Sequence, residues 1–214
     1  MPIVFCFIPD DIALKPSADS IARLLSFMIE SEYVDNDSVY LDIAYESGHH
    51  RPGASTATTV DAAAAVLKES DEAELSDYCI ENIRGTAKIP LLFENANQKN
   101  LSLVGWLAVR VFEQPYPLFD STEDYTIKCS YCGHEANQRL WQAQGSMRTC
   151  PSCGQADEMH LLDFFPKVEF ARFVLEISEL VFLDSPPRLA PGHEFLPKLQ
   201  ETLGAELKPV WYEM

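Results

Sequence analysis

Two matched pairs of cysteines constrain this chain more than any other feature. Cys129-Ser130-Tyr131-Cys132-Gly133 and Cys150-Pro151-Ser152-Cys153-Gly154 each set two thiols on one tight turn, with seventeen residues between the pairs. A zinc ion takes four soft ligands at tetrahedral corners, and each C-x-x-C turn delivers two of them. The glycine after each pair lets the backbone bend back so that amide N–H groups can face the sulfurs. Two other uses of four cysteines are weighed against this one. Disulfides suit an oxidising compartment, but no export signal is readable at the N-terminus. A catalytic zinc keeps one coordination position open, and four thiolates fill all four. His134, next to the first pair, is therefore read as a surface residue rather than a ligand. The expectation is one structural zinc on Cys129, Cys132, Cys150 and Cys153.

These two knuckles resemble the zinc-ribbon family over about residues 125–160. The resemblance implies two metal-binding turns joined by a small antiparallel sheet. It carries no particular function, because ribbons serve polymerases, enzymes and adaptors alike.

The rest of the chain reads as a mixture of strands and helices. Pro2 to Ile8 is an apolar, β-prone run, and Ser17 stands where a helix N-cap belongs, ahead of Ile21, Leu24, Leu25, Met28 and Ile29 at helical spacing. A helix over 18–33 follows, then a half-exposed strand over 39–45. Residues 60–84 show helical spacing broken near Ser70, with one stripe of Val60, Ala63, Ala64 and Leu67 and a second of Leu75, Tyr78, Cys79 and Ile83, closed by Gly85. Strands are expected over 89–93 and 101–112, the second ended by Pro115 and Pro117. After the cysteine region, Pro166 is read as opening a buried helix to about Phe182, whose polar stripe is Glu169, Arg172, Glu176 and Glu179. A short helix over 197–203 and an edge strand at Val210-Trp211-Tyr212 complete the pattern. No internal repeat is evident. The fold class expected is α+β: a mixed or antiparallel sheet with packed helices and an inserted zinc ribbon. The main body would be 1–124 and 163–214, and the insertion 125–162.

Charge bears on partners. Sixteen Lys and Arg stand against thirty-three Asp and Glu, a formal net charge of −17, and residues 1–84 hold sixteen acidic and five basic side chains. Such a balance repels phosphate backbones, whose non-specific binding depends on Lys and Arg. Glu30, Glu32, Asp35 and Asp37 gather at the end of the first helix, where the macrodipole favours cations instead. Glu69, Asp71, Glu72, Glu74 and Asp77 form a second cluster. Both are read as a docking face for a basic protein, against the plainer reading of a solvated surface. No Walker, G-x-G-x-x-G, G-x-S-x-G or H-E-x-x-H motif occurs, so an enzyme has no positive support. Cys6 and Cys79 read as inert core thiols, and His49 and His50 as an exposed turn. No run of apolar residues is long enough to span a membrane, and no small-molecule ligand is indicated. The functional expectation is a non-catalytic, cytoplasmic interaction protein, of the inhibitor or immunity type, with a structural zinc. Its first alternative is a ribbon protein associated with nucleic acid or the transcription and translation machinery, through Arg139, Trp141 and Arg148. An unrecognised enzyme is the second.

Overall fold

A computed structural model describes residues 3–34, 39–45, 56–58, 78–87, 105–120, 122–144, 146–180 and 194–213. Its largest element is a seven-stranded sheet of β1 (Ile3–Pro9), β2 (Val39–Tyr45), β3 (Thr56–Thr58), β4 (Tyr78–Ala87), β5 (Gly105–Leu118), β12 (Glu169–Leu180) and β13 (Leu207–Glu213). The spatial order is β13-β1-β12-β5-β4-β2-β3. Every neighbouring pair is antiparallel. Together with α1 (Ala18–Glu30) and α2 (Phe195–Leu203) this makes the α+β class expected from the sequence.

The alternation of strand side chains decides what each face buries. Phe5 and Phe7 of β1, Leu107, Val109 and Val111 of β5, and Phe173, Leu175 and Ile177 of β12 join one buried cluster with Ile21, Leu24, Leu25 and Met28 of α1. Phe195, Leu199 and Leu203 of α2 complete it. The intervening residues Val4, Cys6, Ile8, Ala171 and Val174 form a second buried cluster on the other face. α1 starts where the sequence indicated, with Ser17 Oγ accepting from the Ser20 amide at 3.2 Å. It ends earlier than expected, at Glu30, and Glu32 takes a positive φ of 58° beyond it.

Two expected helices are corrected. Residues 169–180 form β12, a central strand hydrogen-bonded to β1 and β5. The segment is apolar on both faces, so a period of two and a period of 3.6 match it equally well, and only pairing on both sides decides. Glu176 consequently leaves the polar stripe and becomes buried, with 3% of its surface exposed. Likewise Tyr78, Cys79 and Ile83 belong to β4, and Gly85 lies inside that strand opposite Leu107 instead of stopping a helix. The stripe over 60–67, the 89–93 strand, His49 and His50 lie outside the described residues. Pro115 and Pro117 do not end β5, which continues to Leu118; Pro115 falls where its register with β12 shifts, a place where the lost N–H is tolerated, and Pro117 pairs with Phe170. Strand β13 sits at the sheet edge as expected.

β5 and β12 are neighbours in the sheet, and the chain between them makes two further sheets. β6 (Thr126–Lys128) pairs with β7 (Glu135–Asn137) and β11 (Asp163–Phe165), while β9 (Met147–Thr149) pairs with β8 (Gln142–Gln144) and β10 (Ala156–Glu158). Short 3₁₀ turns occupy Gln138–Leu140 and Met159–Leu161. Contrary to the sequence reading, this region is an internal repeat. Strand, C-x-x-C-G turn, strand, 3₁₀ turn and strand recur in the same order twenty-one positions later, Cys129 matching Cys150, Cys132 matching Cys153 and Leu140 matching Leu161. The third strand of each small sheet comes from the other copy, so neither copy completes a sheet alone.

Candidate metal centre

The two turns are built alike because they have the same backbone task. In the first, the Gly133 amide donates to the Cys129 carbonyl at 2.9 Å and the Cys129 amide to the His134 carbonyl at 2.8 Å. In the second, Gly154 donates to Cys150 at 3.0 Å and Cys150 to Gln155 at 2.8 Å. Gly133 and Gly154 have φ of 70° and 77°, the left-handed region that costs other residues energy.

This geometry brings all four expected ligands together. The sulfurs of Cys129, Cys132, Cys150 and Cys153 lie within 4.8 Å of one another. Cys129 Sγ is 3.7 Å from Cys153 Sγ, and Cys132 Sγ is 3.8 Å from Cys150 Sγ. A tetrahedral ion with metal–sulfur bonds of about 2.3 Å sets sulfur–sulfur edges of about 3.8 Å, which these separations match. A disulfide would hold the pair at about 2.0 Å, and all four are free thiols. The residues fit a four-coordinate metal ion. His134 is not part of the cluster, and it is half-buried.

Electrostatics points the same way. Burial alone would raise Cys150, but N–H groups of Cys153 and Ser152 and the thiols of Cys153 and Cys129 draw it down to about 7. Cys153, whose thiolate the Gln155 amide favours, is nonetheless pushed up to about 12 by burial and by the sulfurs of Cys132, Cys150 and Cys129. Thiols this close ionise as a set, and one thiolate holds its neighbours protonated. A divalent cation removes that conflict, since a coordinated thiol is deprotonated outright.

Behind the sulfurs lies a small core. Cys129 and Cys150 are buried with Tyr125, Ile127, Trp141, Met159, Leu162 and Phe164, and with Val168 and Phe170 at the start of β12. Cys132 and Cys153 are exposed. Trp141 is buried, and among the described residues its indole N–H has no hydrogen-bond acceptor. It is therefore not free to stack on a base. Arg139 is exposed, while Arg148 is half-buried and donates to the Met147 carbonyl at 3.0 Å.

Of the acidic positions, Glu30 and Glu32 are exposed at the end of α1. Asp35, Asp37, Glu69, Asp71, Glu72 and Glu74 lie outside the described residues, as does Asp77. One group of polar residues escaped the sequence reading. Arg110 Nη2 lies 3.1 Å from Glu176 Oε2, across sixty-six positions of chain. Cys6, the register partner of Glu176, is pushed well above the usual thiol range by burial and by that carboxylate. Tyr212 is raised by burial, Cys6 and Glu176. No local spacing marks a pair made by two strands so far apart. Among the described residues, no helix is long and apolar enough to cross a membrane. No protein-family model, curated protein or solved structure matches the chain.

Proposed function

We propose that this chain is a non-catalytic, acidic protein-interaction protein stabilised by one structural zinc ion, with residues 125–162 forming a zinc ribbon between β5 and β12. Cys129, Cys132, Cys150 and Cys153 hold the metal, and four thiolates leave it no open position for substrate. The acidic N-terminal half docks a basic protein partner, in the manner of an inhibitor or immunity-type protein. The observation that carries the partner reading is where the charge sits: residues 1–84 hold sixteen acidic and five basic side chains of a chain with net charge −17. Exposed Glu30 and Glu32 stand at the carbonyl end of α1, which carboxylates destabilise. A local rule broken on an exposed surface fits a surface kept for recognition. Opposite charge steers encounter, so the gain appears chiefly as a faster association rate.

The test begins with the tagged chain drawn from its native lysate and identification of the protein that accompanies it. Association with that protein should weaken as salt rises from about 50 to 500 mM, over which the screening length shrinks to a few ångströms. Changing Glu30, Glu32, Asp35 and Asp37 together to Lys should slow association at least about tenfold. A partner that binds this variant at the same rate and ignores salt would leave the acid with a solubility role only.

A further inference from the structure

The arrangement of the four sulfurs distinguishes one way of oxidising the centre from another. The repeat exchanges Cys129 with Cys150 and Cys132 with Cys153. The two close contacts, Cys129 with Cys153 at 3.7 Å and Cys132 with Cys150 at 3.8 Å, are therefore the same contact seen from each copy. Each joins a cysteine exposed on one turn to a cysteine buried on the other. Metal-bound sulfurs are all thiolates, so access decides where an oxidant begins, at an exposed cysteine, and a thiol in contact across the turns, 3.7–3.8 Å away, can complete the bond.

We propose that the centre is a peroxide-responsive switch that converts, with loss of its metal, into two disulfides crossing between the turns, Cys132–Cys150 and Cys129–Cys153; this rests on the zinc reading above. The Cys132 sulfur attacks one peroxide oxygen: a sulfur–oxygen bond forms, the oxygen–oxygen bond breaks, and the leaving hydroxide takes a proton and departs as water. The Cys150 sulfur then attacks the sulfenic sulfur. A sulfur–sulfur bond forms, the sulfur–oxygen bond breaks, and a second water leaves. Cys153 and Cys129 repeat the sequence. In sum, four thiolates, two hydrogen peroxide molecules and four protons give two disulfides and four waters, releasing the ion. Because both bonds run from one copy of the repeat to the other, the oxidised form keeps the two small sheets together without metal. Bonds within each turn, Cys129–Cys132 and Cys150–Cys153, would leave the two turns without a covalent link to each other.

The zinc-loaded full chain is treated with hydrogen peroxide in the presence of a chromogenic chelator, with dimedone added in a parallel sample. Non-reducing peptide mapping then identifies the bonds. The expected result is about one zinc released for two peroxides consumed, cross-turn peptides 132–150 and 129–153, and dimedone adducts on Cys132 and Cys153. Within-turn peptides, adducts mainly on Cys129 and Cys150, or retention of zinc under excess peroxide would each overturn the switch while leaving the zinc site standing. Metal analysis of untreated protein separates the two ideas, since absence of zinc there overturns both.

Discussion

In the main sheet, Phe7, Phe173 and Phe195 are fully buried between long strands and two helices. In residues 126–165 each strand is three residues long, and Tyr131, Leu140, Leu161 and Phe165 are exposed large apolar side chains. In the first region each large buried side chain contributes about 1.5–3 kcal/mol. In the second, strands of this length give few ladder bonds, and its apolar cluster is built around the metal-facing Cys129 and Cys150. The contrast teaches that burial organises the sheet, while the repeat converges on four sulfurs placed to hold a metal ion.

Removing one sulfur should therefore have the largest and most local effect. Wild-type protein should carry about one zinc per chain, and Cys150→Ser should lose it, with binding free energies on the order of 10 kcal/mol at stake in such sites. Hydrogen exchange should show residues 126–165 losing protection while β1, β5 and β12 keep theirs. Loss of protection throughout the sheet would show that the two regions fold as one.

The converse perturbation is Phe173→Ala, which empties a buried site on β12. A cost of about 3–5 kcal/mol is expected in denaturant unfolding, with zinc content unchanged. A parallel loss of zinc would break the comparison from the other side, through Val168 and Phe170, where β12 enters the cluster around the sulfurs.

How much of each region was legible in the sequence follows from the same contrast. The four-cysteine cluster was readable because both turns are local: residue types, spacing and the following glycine all lie within a few positions. Ser17 and the α1 stripe were readable for the same reason. β12 was misread because a strand buried on both faces carries no period, and β4 because its identity, like that of β12, depends on pairing with partners distant in sequence. The repeat went unseen because its two copies share little beyond the cysteines, the glycines and Leu140 with Leu161. The Arg110–Glu176 pair was invisible because tertiary pairing alone creates it.

The equivalence of the two turns is open to a smaller test. A Cβ at Gly133 or Gly154 meets nothing within 4 Å, so the cost of alanine comes from the left-handed backbone alone. Each of Gly133→Ala and Gly154→Ala should cost about 1–2 kcal/mol, read as about tenfold weaker zinc retention in competition with a chelator. Equal effects support the repeat, and a large difference between them would mean the turns carry unequal loads.

The smallest expected effect belongs to the main sheet and comes from charge. Lys208 of β13 lies 2.7 Å from Glu169 at the start of β12, both partly exposed. Burial on its own would raise the Glu169 carboxyl, but the hydrogen bond and charge of Lys208, with help from Lys167, hold it below its ordinary value of 4.5. A carboxylate lowered by folding contributes stability that is complete above the ordinary range and lost as pH falls through the folded value. Lys208→Met should accordingly be less stable than wild type at pH 7, by roughly half a kcal/mol given the exposure of the pair. As pH falls below the ordinary carboxylate range and Glu169 takes up its proton, the gap should narrow. Variant and wild type carry the same four cysteines, so comparing the two at one pH cancels any contribution of the metal centre and isolates the pair. Urea midpoints of variant and wild type at each pH make the measurement. A gap that stays constant down to pH 3 would assign the loss to packing of the Lys208 stem rather than to its charge.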